Sequence, residues 1–129
     1  MPDAWEIYYF GNTNAPNGGP GDDWDRDGVS NLAEFVAGTV PTNAASWAVL
    51  AVSLASNDVM VSFPALRAAG YGYEGKTRQY TLEVNTNLTS GSWQELSGWV
   101  NVVGGDSTKT CTNPATAATE FYRLRMELK

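Results

Sequence analysis

A chain of 129 residues with 43% hydrophobic content is long enough for one domain with its own core. The net charge is −6 and the chain has no cluster of basic residues, which argues against a nucleic-acid partner. No apolar run approaches the ~20 residues of a membrane span. The absence of histidine excludes catalytic dyads and zinc sites that need one, and a single cysteine, Cys111, excludes an internal disulfide.

The first residues predict a short helix between Pro2 and Gly11. Asp3 is placed to cap it, Glu6 completes a capping-box pattern, and Gly11 supplies the stop. So short a helix needs a packing partner. Three aromatic residues at spacings of three and four predict the face that packs: Trp5, Tyr8 and Tyr9. The acidic residues at this end do not resemble a signal peptide, so we expect either a signal upstream in a longer parent chain or a short cytoplasmic product beginning at Met1.

Residues 23–34 have the spacing of a twelve-residue calcium loop. Such a loop takes side-chain oxygens at positions 1, 3, 5, 9 and 12, a backbone carbonyl at 7 and glycine at 6. Gly28 falls at position 6 and Val29 at 7. The five side-chain positions hold Asp23, Asp25, Asp27, Asn31 and Glu34. A metal-free acidic turn is the alternative, but the glycine, asparagine and glutamate also fall at the required offsets, so the sequence predicts one calcium ion.

A loop rich in asparagine, glycine and proline, residues 12–22, precedes the acidic segment, where a true EF-hand has an entering helix. Asn31 to Ala37 predicts a helix after it, ended by Gly38. One apolar face is expected on this helix, formed by Leu32, Phe35 and Val36. The pattern therefore predicts a solitary half-motif of loop and exit helix. Trp24, at loop position 2, is expected to point away from the metal.

From Trp47 onward the hydrophobic period changes to two, which indicates strands. Trp47–Ala55 is apolar throughout and predicts a buried strand, with Trp47 and Trp5 as core or helix-docking residues. Gly98 predicts a break, and Cys111 a small core residue. Further strands are predicted near residues 59–63, 80–84, 93–96, 99–103, 108–112 and 122–128. We therefore expect a mostly β, antiparallel, immunoglobulin-like sandwich over residues 47–129, preceded by a helical leader with the calcium loop over residues 1–46.

The charge imbalance lies entirely in the leader. Residues 1–46 contain seven acidic side chains and one basic one, whereas residues 47–129 contain seven of each. A bound cation would offset part of the leader's self-repulsion.

The string GDDWDRDGVSNLAEFVAGTVPTNAAS resembles the calcium-binding thrombospondin type 3-like and dockerin-like repeats of bacterial secreted and surface proteins. Val40 stands where that pattern has aspartate, and one repeat does not imply the cohesin binding of a two-repeat dockerin. YTLEVNTNLTSGSWQEL and FYRLRMEL are similar to the β-sandwich modules that close many such proteins. The resemblance implies calcium ligation by the acidic loop and a secreted or cell-surface location.

Exposed aromatic residues offer the remaining candidates for a binding site. Tyr71 and Tyr73 lie in a glycine-rich segment that predicts either a recognition tip or an ordinary loop, and Trp24 and Trp99 are further candidates. No carboxylate pair is set apart from the acidic loop for hydrolysis. We therefore expect a non-catalytic, calcium-stabilised accessory domain whose partners are other domains of a longer chain. The alternative is a carbohydrate-binding or adhesive module that contacts a glycan or surface protein.

Overall fold

The computed structural model describes all 129 residues as two short helices followed by seven strands, so the chain is mostly β as predicted. The helices come first, α1 at Asp3–Phe10 and α2 at Asn31–Ala37. The strands are β1 Ala51–Ala55, β2 Asp58–Ala65, β3 Arg78–Asn85, β4 Gln94–Glu95, β5 Val102–Val103, β6 Ser107–Pro114 and β7 Phe121–Leu128. No helix is long and apolar enough to cross a membrane.

Two antiparallel sheets form the β part in a sandwich-like arrangement. One has the order β1-β2-β6; in the other, β3 pairs with β7 and with the short strands β4 and β5. Alternate residues of the central strands face a shared core, as the period of two predicts. The buried members of that core are Val59, Val61, Phe63, Ala65, Tyr80, Leu82 and Cys111. The outward side of β7 is charged, and Arg123 and Arg125 pair there with the buried carboxylate of Glu83.

A second apolar cluster joins the leader to the β part. Its buried members are Trp5, Phe10, Phe35 and Tyr73, and Leu128 of β7 packs against them. Three aromatic contacts build it: Trp5 lies edge-on to Phe10 and Phe35, and Phe35 stacks on Tyr73 with ring centroids 4.7 Å apart. The helices are therefore held by residues from far along the chain, as short helices require.

The predicted capping box at α1 is wrong. Asp3 is the first helical residue, the N-cap position is Pro2, and no side chain caps the helix. Proline fixes a backbone angle suited to a helix start, so the helix begins one residue earlier than the capping pattern implied. Gly11 ends the helix in the left-handed conformation, as predicted.

The predicted apolar face of α2 is also wrong in part. Phe35 is buried, but Val36 is half-buried and Leu32 is exposed, and the other buried residues of the helix are Ala37 and the polar Asn31 and Glu34. The helix turns these two residues of the acidic loop inward, which leaves Leu32 on the solvent side. Ser30 caps the helix by accepting a hydrogen bond from the Ala33 N–H, and Gly38 ends it.

The strand predicted at Trp47–Ala55 is shorter and lies at an edge. Only β1, Ala51–Ala55, is a strand; all five residues are exposed, and Trp47 is 63% exposed. An unbroken apolar run is typical of a buried strand, but β1 pairs with β2 on one side and has no neighbour on the other. The break predicted at Gly98 is found between β4 and β5, and its backbone is left-handed there, but the strands on either side have only two residues each.

Candidate metal centre

Three aspartates of the acidic loop converge on one point. Asp23, Asp25 and Asp27 each bring a carboxylate oxygen to within 4.8 Å of the others. Alternate positions along the loop place them together because Arg26 and Gly28 both adopt left-handed backbone angles, which curl the chain around the carboxylates. This group could hold a metal ion.

Backbone amides orient two of the three carboxylates. Asp23 accepts hydrogen bonds from the N–H groups of Arg26, Asp27 and Gly28, at 2.7, 3.3 and 2.9 Å. Asp27 accepts one through Oδ1 from the N–H of Val29, at 2.8 Å. The loop thus supplies its own second layer of contacts, which fixes the direction of the Asp23 and Asp27 carboxylates before any ion binds.

Four carboxylate oxygens in this region are buried and accept no hydrogen bond from the protein. They are Oδ1 and Oδ2 of Asp25, Oδ2 of Asp27 and Oε2 of Glu34. Buried polar atoms nearly always have a partner, and carboxylate oxygens without one are costly. A hard cation satisfies such oxygens, and calcium takes six to eight of them, so the donor set fits calcium.

Glu34 joins the loop from the inner face of α2. Its side chain is fully buried, and Oε1 accepts a hydrogen bond from the Thr39 hydroxyl at 3.1 Å. Burial is the main cause that raises the pKa of this carboxyl to about 7; the Thr39 hydrogen bond opposes the rise, and the negative charges of Asp25, Asp27 and Asp23 add to it. A cation beside Glu34 would reverse the effect of those charges and favour the ionised form.

Asn31 holds two loops together, a contact that the sequence did not indicate. Its amide nitrogen donates to the carbonyls of Asn17 and Gly19, both at 2.9 Å, and its amide oxygen accepts from the Trp24 N–H at 3.3 Å. The glycine-rich loop of residues 12–22 is thereby tied to the acidic loop. Trp24 itself stacks on Phe10, with ring centroids 4.6 Å apart.

Arg78 supports the centre from the β part. Its side chain is 2% exposed, forms no salt bridge, and donates to the carbonyls of Val36, Phe35 and Arg67 at 2.6, 3.4 and 2.7 Å. A cation at the last carbonyls of α2 is favoured by the helix dipole. No motif marked Arg78; its only signal in the sequence is a charged residue in register with the alternating apolar residues Tyr80, Leu82 and Val84 of the same strand.

The aromatic residues proposed as ligand contacts differ widely in exposure. Tyr73 is buried, and its hydroxyl donates to the Phe35 carbonyl at 2.7 Å, so its expected place on an exposed recognition tip is wrong. The glycine-rich loop that carries Tyr73 packs against α2 instead of projecting into solvent. Trp99 is half-buried against the main core. Tyr71 alone of these residues is largely exposed, and it stacks on Tyr8 with ring centroids 4.8 Å apart.

Comparison with protein-family models, curated proteins and solved structures found no match to this chain.

Proposed function

We propose that the acidic loop binds one calcium ion through Asp23, Asp25, Asp27 and Glu34. The carbonyl of Val29 and the side chain of Asn31 complete the expected ligand set. The observation that carries this proposal is the group of four buried carboxylate oxygens without protein partners, drawn from Asp25, Asp27 and Glu34. Asp25 and Asp27 converge with Asp23, which gives a dense set of hard oxygen donors that suits calcium.

The ion's role is structural. It links the loop to α2 through Glu34, and α2 is in turn bound to the β part through Phe35 and Arg78. Extracellular modules commonly bind calcium with Kd near 10⁻⁴–10⁻³ M. Free calcium at about 100 times Kd would add roughly 2.7 kcal/mol to the free energy of unfolding, which is a large share for a small domain.

The function that follows is a non-catalytic, calcium-stabilised accessory domain of a secreted or cell-surface bacterial protein. Its two antiparallel sheets around one core support an immunoglobulin-like sandwich, and the curled loop before α2 supports an EF-hand-like half-motif. The thrombospondin type 3-like and dockerin-like resemblance of residues 21–46 supports the same location and role.

Calorimetric titration of chelator-treated protein tests the calcium site. We expect one calcium per chain, and no binding at millimolar calcium, or a stoichiometry of two, would contradict the proposal. Asp25→Asn removes a ligand charge and should weaken binding by about tenfold or more. Asp22→Asn is the matched control, because Asp22 bonds the Gly19 N–H at 3.0 Å and lies outside the three-aspartate group.

The second candidate function is carbohydrate binding or adhesion at Tyr71. Tyr71 is 60% exposed and borders an open depression of about 530 Å³ that Glu74 and Lys76 also line. An aromatic face with polar groups beside it suits a sugar ring. A glycan array run with the wild type and Tyr71→Ala tests this function. A ligand lost on Tyr71→Ala would support it, and a ligand indifferent to that change would contradict the assignment to Tyr71.

A further inference from the structure

The outer edge of β1 is unprotected. β1 pairs with β2 alone, and no backbone hydrogen bond outside that pair involves residues 51–55. Alternate N–H and C=O groups therefore face outward without a partner strand. Such an edge is a template for another strand, and proteins normally blunt it with charges, proline or short length.

Every other edge of the two sheets carries one of these protections. β6 contains Lys109 and Pro114, and β4 and β5 have two residues each. The outward side of β7 carries Arg123, Arg125 and Glu127. β1 has no charge and no proline, and the whole stretch from residue 35 to residue 57 is uncharged in a chain of net charge −6.

The core-facing side of β1 is also left open. Val52 lies opposite Val61 and Leu54 opposite Val59, so both belong to the face that β2 buries. Nevertheless Leu54 is 78% exposed. Both side chains border a depression of about 160 Å³ whose other lining is mainly apolar. The charged residue of this lining is Glu120, whose carboxylate accepts hydrogen bonds from the hydroxyl groups of Tyr122 and Thr116.

We propose that β1 is a self-association surface and that its occupant is β1 of a second copy of this chain. The strand reads Ala-Val-Ser-Leu-Ala, which has the same pattern in both directions about Ser53. Antiparallel pairing about a twofold axis at Ser53 sets Val52 opposite Leu54 of the second copy, and small residues opposite small residues. The four apolar side chains then lie on one face.

Charge favours this occupant as well. Two copies of this chain repel each other where their acidic leaders meet, whereas the uncharged stretch around β1 allows the β parts to approach. Pairing about a twofold axis uses the same edge on both copies, so the assembly closes as a dimer with one six-stranded sheet. Filament growth is prevented because the opposite edge of that sheet, β6, carries Lys109 and Pro114.

Sedimentation velocity of the full chain in calcium, from micromolar to millimolar concentration, tests the proposal. We expect a monomer–dimer equilibrium for the wild type. Leu54→Lys should weaken dimerisation by about tenfold or more, because an ammonium group cannot be buried there without a partner. Leu88→Lys is the control, since Leu88 is an exposed apolar residue outside both sheets, and its dimerisation should equal that of the wild type.

A cysteine at the twofold axis tests the register. Directly opposed residues of an antiparallel pair have Cα atoms about 4.5–5.5 Å apart, which lies within the range for a disulfide. Ser53→Cys should therefore form a disulfide-linked dimer under mild oxidation, faster than the exposed control Ser90→Cys. A wild type that is monomeric throughout, a dimer indifferent to Leu54→Lys, or equal cross-linking at positions 53 and 90 would each overturn the proposal.

Discussion

Glu34 is a carboxylic acid whose surroundings disfavour its charged form. Burial and the neighbouring aspartates raise its pKa to about 7 from an ordinary 4.5. The folded chain therefore holds a proton that the unfolded chain releases at lower pH. The resulting stability is fully present below about pH 4.5 and is lost as pH rises through about 7.

This titration predicts how pH acts on the metal-free protein. In chelator, the free energy of unfolding should fall by up to about 3 kcal/mol between pH 4.5 and 7.5 through Glu34. Calcium binding should strengthen over the same range, because the ion displaces the proton. Urea unfolding at a series of pH values checks both. Metal-free Glu34→Gln should show a flatter profile, and an unchanged profile would assign the effect to other groups.

Glu34→Gln also separates ligation from packing. The neutral amide keeps the size of the side chain but removes the charge that calcium requires, so calcium affinity should drop by about tenfold or more. The thermal midpoint should fall in calcium but rise in chelator at neutral pH, because the amide avoids the cost of a buried charge. Glu74→Gln is the control, because Glu74 is an exposed carboxylate outside the acidic loop. Equal loss of stability with and without calcium would show that Glu34 acts through packing.

At the scale of elements, the C-terminal end of α2 depends on the buried guanidinium group of Arg78. Gly38 adopts a left-handed backbone there, and a Cβ at this position would lie 2.5 Å from a guanidinium nitrogen of Arg78. The glycine thus lets Arg78 approach the last carbonyls of the helix, while the ring of Tyr73 lies 5.0 Å from the guanidinium carbon. Helix, strand and loop meet at this side chain.

Arg78→Met should therefore lower the free energy of unfolding by about 2–4 kcal/mol, because several carbonyls lose a charged donor inside the protein. Arg78→Lys should lose less, since it keeps the charge but not the planar fork of donors. Arg67→Met is the matched control: Arg67 is exposed, and its salt bridge with Asp106 is a surface pair worth about 1 kcal/mol or less. Urea unfolding measures all three, and equal losses at positions 67 and 78 would contradict this role.

The strands were predictable where apolar core residues recur at every second position. The alternation of Val59, Val61 and Phe63, and of Tyr80 and Leu82, matches the observed core because a period of two reports which face is covered. The same logic failed at Trp47–Ala55. An apolar run does not record how many neighbouring strands exist, and here β1 has only one, β2.

The sequence predicted which aspartates form the candidate centre, but it did not predict the distant residues that contact α2. Asp23, Asp25 and Asp27 lie close in sequence, so their spacing alone implies convergence. Arg78, in contrast, reaches α2 across 42 residues of chain, and no local pattern encodes such a contact. Tyr73 was misplaced for the same reason, because its partner Phe35 lies 38 residues away.

At the scale of the whole molecule, the leader combines the chain's charge imbalance with its weakest secondary structure. Residues 1–46 contain seven acidic side chains against one basic one, and only two short helices. Their apolar contacts with the β part pass through Phe35, Tyr73 and Leu128. The β part has its own core and no net charge, so loss of calcium acts unequally on the two parts.

Hydrogen exchange in chelator should therefore show the leader losing protection first, while β2, β3 and β7 remain protected. The loop of residues 68–77 should loosen with the leader despite its distance in sequence, because Tyr73 packs on Phe35 and donates to its carbonyl. Restoring calcium should return protection to both segments together. The core strands serve as the internal reference, since their buried side chains belong to the separate main cluster. Uniform loss across all strands would mean that leader and sheets unfold as one cooperative unit, whereas loosening of residues 1–46 alone would show that the Tyr73 contact does not couple them.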